Sequence, residues 1–248
     1  MRLSVLRRTI LRMTETGRLE LAAFDARDTA KVAKFYCDLA GWEVGRDDGG
    51  WIIVKTTDGQ EVGFQPSDDH VPPQWPGQEH PQQFHLDLTV DGIEAAADRA
   101  VELGATRLAT GASWITLADP AGHPFDLCQR DGAKGIGLFA VTIDAPDAVA
   151  LARFYAGLLG MEVTYEGPEG GLISGDGTSL MFQQVSDYHA PQWPDPAHPQ
   201  QAHLDILVDD LDVVQGRAVE LGAAVVTGES PQFRTLVDPA GHPFDITL

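Results

Sequence analysis

Two short stretches carry the side chains best suited to chemistry. His85-Leu86-Asp87-Leu88-Thr89-Val90 alternates polar and apolar residues, and a closely similar run starts at His203. Successive side chains of a strand point to opposite faces, so His85, Asp87 and Thr89 share one face and Leu86, Leu88 and Val90 the other. By the same rule Asp126 opposes Phe125 and Leu127, and Gln65 opposes Phe64. The second copy offers the same set as His203, Asp205, Asp245 and Gln183. Imidazole, carboxylate and amide groups converging on one face can hydrogen-bond a ligand, move a proton or coordinate an ion. A polar face turned to solvent, the usual fate of one side of an antiparallel sheet, remains open as the alternative.

Other residues fit less well into a chemical set. Trp75 and Trp193 sit in Gln-Trp-Pro segments that lead toward the histidine strands. Proline stiffens such a loop, and an indole held there can either stack on a planar ligand or cover the edge of the sheet. His123 and His242 follow the glycine of an Asp-Pro-Ala-Gly turn and read as exposed hairpin residues. His80 and His198 precede proline in polar loops and read the same way. No phosphate-binding glycine loop, nucleophile elbow or Cys-x-x-Cys pair is present.

The elements that must position these groups follow from periodicity. Leu19 to Phe24 is a short apolar strand. Asp28 is placed to cap a helix that carries Val32, Phe35, Tyr36 and Leu39 at helical spacing, and Gly41 to end it. Segments 42–44, 51–56 and 61–65 read as strands separated by Asp/Gly turns. The order then recurs: strand 85–90, a helix from about Gly92 to Leu103 stopped by Gly104, and strands near Thr106, Ser113–Leu117 and Phe125–Cys128. Each half is thus two βαβββ units, an α+β arrangement with helices on the apolar face.

Repetition is the strongest signal. The segment QWPGQEHPQQFHLDLTVD from Gln74 returns as QWPDPAHPQQAHLDILVD from Gln192, and Asp119-Pro-Ala-Gly-His-Pro-Phe-Asp returns from Asp238. Val101-Glu-Leu-Gly-Ala and Phe35-Tyr36 also have collinear partners, at Val219 and Phe154. A glycine-rich connector at 131–137 separates the copies. We expect an N-terminal extension over 1–17 without order, a first domain at 18–130 and a second at 136–248.

Composition narrows the partners. With 37 acidic and 17 basic residues the formal net charge is −20, a field that repels nucleic acid and anionic membrane surfaces. Two cysteines, Cys37 and Cys128, are too few for a disulfide framework and read as reduced, buried thiols. No run approaches the length of a membrane span, and the arginine-rich start lacks the continuous apolar core of a secretory signal. The residues therefore suggest a cytoplasmic protein, a monomer or homodimer, with a small-molecule ligand.

The His-Leu-Asp-Leu-x-Val-Asp run, the Leu-Gly-Ala helix end and the Asp-Pro-x-Gly-x-Pro-Phe-Asp-Leu turn together resemble the vicinal-oxygen-chelate superfamily, the glyoxalase/bleomycin-resistance/dioxygenase group. The resemblance covers nearly everything from Gly17 onward. It implies two tandem domains, each a cupped antiparallel sheet around a ligand cleft, often with a divalent metal on the floor. Carried over position by position, it implies metal ligands at His85, Asp126 and Gln65, and at His203, Asp245 and Gln183. The fourth position, on the first strand, holds Leu21 and Ala140, which cannot coordinate. One His, one carboxylate and a weakly donating amide make a reduced ligand set, so no cofactor is assured and a divalent ion stays open. Two readings follow. In the first, the cups bind a small apolar or aromatic molecule through His85, Asp87, Trp75 and Gln65, or His203, Asp205, Trp193 and Gln183, for sequestration or resistance. In the second, the chain is a metal-dependent lyase, isomerase or dioxygenase, with Asp87 or Asp205 as base.

Overall fold

The structure, a computed structural model, describes residues 15–195, 197–227 and 230–248. Residues 1–14 of the expected N-terminal extension lie outside it. The last residue of that extension is anchored, because the Gly17 amide donates to the Leu158 carbonyl at 3.0 Å.

Four βαβββ units follow in order. The first is β1 (Arg18–Ala26), α1 (Thr29–Ala40), β2 (Glu43–Asp48), β3 (Trp51–Lys55) and β4 (Glu61–Pro66); the second is β5 (Phe84–Val90), α2 (Ile93–Glu102), β6 (Thr106–Thr110), β7 (Trp114–Ala118) and β8 (Pro124–Gln129). The third is β9 (Gly137–Ala145), α3 (Ala148–Leu159), β10 (Glu162–Gly167), β11 (Gly170–Gly175) and β12 (Thr178–Gln184). The fourth is β13 (Ala202–Leu207), α4 (Leu211–Leu221), β14 (Ala224–Thr227), β15 (Phe233–Val237) and β16 (Pro243–Thr247).

The helix ends form as their residue types demand. The Asp28 carboxylate accepts from the Lys31 amide at 3.0 Å and Asp147 from Ala150 at 3.0 Å, each satisfying one of the free donors of a first turn. Gly41 and Gly160 close α1 and α3 at φ of 71° and 68°, in the left-handed region where a Cβ is penalised.

The sheets are mixed rather than antiparallel. The helix returns the chain to its starting side, so β2 runs with β1, β3 against it and β4 with it again. β4 therefore pairs parallel with β1, as do β8 with β5, β12 with β9 and β16 with β13. Two units then join through their first strands, which pair antiparallel. The resulting orders are β14-β15-β16-β13-β1-β4-β3-β2 and β10-β11-β12-β9-β5-β8-β7-β6. Each eight-stranded sheet thus takes one unit from each sequence repeat. The first and fourth units form one cup, and the second and third form the other.

The apolar core follows the repeats instead. Phe35 and Tyr36 of α1 pack on Phe125 of β8 with ring centroids 5.7 and 5.9 Å apart, and Tyr36 stacks on Phe64 of β4. Phe154 and Tyr155 of α3 repeat this against Phe182 and Phe244. Burying aromatic area of this size is worth roughly 1.5–3 kcal/mol per side chain. The buried Tyr36 hydroxyl donates to Asp119 at 3.3 Å and Tyr155 to Asp238 at 3.0 Å, tying α1 and α3 to the two Asp-Pro-Ala-Gly turns.

Those turns correct one expectation. His123 and His242 are buried, not exposed. The Asp119 carboxylate accepts from the amides of Ala121 and His123, which curls the turn inward under the loop carrying Pro72. His123 Nε2 then bonds the Asp25 carbonyl at 2.7 Å, bracing β1.

Candidate functional site

Helices cover one face of each sheet, and the polar groups singled out above line the other. In the first cup, register sets His203 opposite Ala23, Asp205 opposite Leu21 and beside Asp245, and Gln65 beside Asp25. His203, Asp205 and Asp245 present ligand atoms that all lie within 4.8 Å of one another. A cavity of about 520 Å³ opens at His203 and Asp245, lined also by Asp25, Gln65, Trp193 and Gln200 among others. Gln200 Nε2 lies 2.8 Å from His203 Nδ1 and 3.3 Å from Asp25 Oδ1, linking the imidazole to a third carboxyl group. The floor beside the cluster is apolar. Leu21, Ala23 and Ile53 are buried together with Trp51 packed on them, and the Trp51 ring stacks against His203 at 6.5 Å. Gly63 makes room for this, since a Cβ there would meet Leu21 at 3.1 Å and the indole at 3.5 Å.

In the second cup, His85, Asp87 and Asp126 form the same cluster within 4.8 Å. Gln82 joins His85 Nδ1 at 3.0 Å to Asp144 at 3.2 Å, and Gln183 pairs with Asp144. The cluster is closed differently. The Thr142 hydroxyl and the Cys128 thiol (3.7 Å) both donate to Asp87. Their counterparts around Asp205 are Ala23, which has no donor, and Thr247, whose buried hydroxyl finds no partner among the described residues. Met181 stands where the first cup has Gly63, and Gly170 where it has Trp51. The cavity here, about 270 Å³, is lined by Trp75, Gln82, Asp144 and Gln183 but stops short of His85 and Asp126.

Burial sets the protonation states. It pushes His203 down to about 4, so the ring is neutral at physiological pH. Asp205 rises to about 7 through burial and the neighbouring Asp245, and Asp25 to about 7 through burial opposed by its Gln200 bond. Asp245, Asp126 and Asp144 are also raised, each chiefly by burial. Neither lysine nor arginine lines the first cavity, while Asp68, Asp69 and Asp195 add negative charge at its rim.

The donor set fits a divalent cation better than the sequence alone implied. Each cluster holds one imidazole and two carboxylates, because Asp87 and Asp205 join it. That is three ligands, enough for an open site. One condition attaches. With the Gln200 nitrogen on Nδ1, His203 carries its proton on Nε2. Turning the amide over lets Nδ1–H and a protonated Asp25 both donate to the glutamine oxygen, and frees the Nε2 lone pair for an ion.

The grouping of the glutamines needs correction. Gln65 was grouped with His85 and Asp126; it lies across the cup from His203, two strands away, and Asp245, three strands away, and Gln183 lies likewise in the cup of His85. Units from different repeats share a sheet, so each amide serves the other repeat's histidine. Asp87 and Asp205, read as bases, sit inside the ligand clusters. Trp193 lines the cavity of His203, and Trp75 the rim of the second cup. Sequence reasoning missed Asp25, Asp144, Gln82 and Gln200. The signal was there in part, for Asp25 alternates with Leu21 and Ala23 and each of the four recurs in the other repeat.

The model of the family described as "Glyoxalase-like domain" matches this chain twice, over residues 22–128 and 140–247. Among solved structures, glyoxalase I from Zea mays shares 17% identity over 94% of this chain and 92% of its own, with a TM-score of 0.66. The cppA protein from Streptococcus pneumoniae shares 12% identity over 93% and 98%, with a TM-score of 0.51. At such identities the likeness shows the fold alone. No curated protein sequence matches.

Proposed function

The chain belongs to the glyoxalase-like domain family, and from that premise we propose that its first cup binds a small molecule with an apolar or aromatic body and a pair of oxygen donors, the oxygens meeting a divalent ion held by His203, Asp205 and Asp245. One observation carries this reading: a cavity of about 520 Å³, with no lysine or arginine among its described lining residues, reaches His203 and Asp245 of a His-Asp-Asp cluster. Carboxylates left uncompensated in a buried site are costly, and a cation offsets that cost. Trp51, packed on Leu21 and Ile53 and stacked on the His203 ring, would supply an apolar surface beside the cluster. The ion would polarise the ligand's oxygens and favour an enediolate-like anion.

A second reading, turnover rather than sequestration, rests on Asp25. Its carboxyl faces the same cavity from outside the ligand cluster and is raised to about 7, so that, protonated in the ion-binding arrangement, it could act as a general acid at neutral pH.

Thermal unfolding with Mn²⁺ and benzohydroxamate, an aromatic probe with vicinal oxygens, tests the proposal. A Tm raised by the ion, raised further by the probe only when the ion is present, and unresponsive in His203→Asn supports it. Indifference of the wild-type Tm to both additions overturns it.

A further inference from the structure

The two His-Pro-Gln-Gln segments, 80–83 and 198–201, do more than lead into the cups. Extended backbone sends alternate side chains opposite ways, and Gln82 and Gln200 go to the two cluster histidines. Gln83 and Gln201 go the other way, into a cavity of about 410 Å³ between the repeats that His80 and His198 also line. The two histidines, far apart in sequence, face each other with ring centroids 6.3 Å apart. Gln83 and Gln201 are 8% and 5% exposed, yet neither Oε1 has a hydrogen-bond partner among the described residues. His198 Nδ1 is likewise shielded and unpartnered; the nearest carboxylate oxygen, on Asp195, is 3.6 Å away, beyond hydrogen-bond reach. Buried polar atoms left without partners call for an explanation, and here three of them border one cavity.

The geometry points to a divalent transition-metal site where the repeats meet, held by His80 and His198 and completed by the amide oxygens of Gln83 and Gln201. An ion about 2.1 Å from a ring nitrogen lies about 3.2 Å from the ring centre, so two imidazoles on one ion have centroids roughly 5–6 Å apart. The observed 6.3 Å lies just outside that range. Two imidazoles and two neutral oxygens, without thiolates, select a borderline ion such as Zn²⁺ or Ni²⁺ over Mg²⁺ or Ca²⁺. The site is separate from the cups, but it shares their supports. Gln201 Nε2 donates to the Pro81 carbonyl at 3.0 Å, so an ion here clamps the two segments that carry Gln82 and Gln200.

Equilibrium dialysis of the metal-stripped full chain against Zn²⁺ tests this. The His80→Ala/His198→Ala variant is expected to bind one ion fewer than wild type, and His80→Asn alone to weaken that ion by at least roughly tenfold. His203→Asn retains it, which separates this site from any ion in the first cup. Circular dichroism identifies a variant that fails to fold, and the half-buried position of His80 makes the single variant a safe second measurement. Equal Zn²⁺ stoichiometry and affinity in wild type and in the folded double variant overturn the site.

Discussion

The two cups start from nearly the same polar residues and end as different sites. Each has a His-Asp-Asp cluster, a glutamine bridging the imidazole to a third carboxyl, and a tryptophan in a proline-bound loop. They part at a few floor positions. Thr142 and Cys128 give Asp87 two donors, and the second cavity ends above the cluster. Ala23 gives Asp205 none, and the first cavity reaches its cluster partners His203 and Asp245. Trp51 over Gly63 makes a rigid aromatic plate in one cup, whereas the other has Met181 at the position of Gly63 and Gly170, with no side chain, at that of Trp51. A shared constellation therefore does not make the two surroundings alike. Whether donors already satisfy a carboxylate decides whether it can serve anything else.

The sharpest break of this contrast is the paired substitution of the cluster histidines. His203→Asn should weaken Mn²⁺-dependent probe binding by a hundredfold or more, roughly 2.7 kcal/mol, while His85→Asn changes it less than twofold. Titration followed by tryptophan fluorescence reads both, and equal losses would mean that the cups are equivalent after all.

Exchange of the floor residues is expected to have the next largest effect. Ala23→Thr should place a hydroxyl against Asp205 and reduce probe affinity about tenfold, roughly 1.4 kcal/mol. The reverse change, Thr142→Ala and Cys128→Ala with Met181→Ala, should free Asp87 of both donors and raise the stoichiometry of probe binding toward two, as calorimetry would show. A stoichiometry that stays at one would mean that Thr142, Cys128 and Met181 are not what closes the second cup.

A smaller difference concerns stability. His70 bonds the Ala121 carbonyl beside His123, whereas the corresponding partner of His242 is Tyr188. Burial lowers both His70 and His123 to about 4. Below the unfolded value of about 6.5, the unfolded chain binds protons that these folded rings refuse. Their contribution is thus fully present above pH 6.5 and is lost as pH falls toward 4. His70→Tyr, which copies the other repeat, should flatten this decline by up to one proton, about 1.4 kcal/mol per pH unit. Urea midpoints of the two proteins between pH 6.5 and 4.5 measure it, and parallel curves would show that His70 titrates normally.

Local physics made much of the molecule legible in the residues. Asp28 and Gly41 mark the helix ends because capping and positive φ are properties of single residues. The face shared by His85 and Asp87 follows from strand alternation, and the duplication is visible as repeated text. Tertiary structure alone decided which units share a sheet. β5 and β13 have almost the same sequence, so neither hydropathy nor register tells β1 which of them to pair with. The connectors and the common core of each repeat settle it in favour of β13. That choice moved Gln65 to the histidine of the other repeat, brought His80 and His198 together, and set Thr142 against Asp87. Contacts between distant segments depend on how the chain closes on itself, which no local pattern encodes.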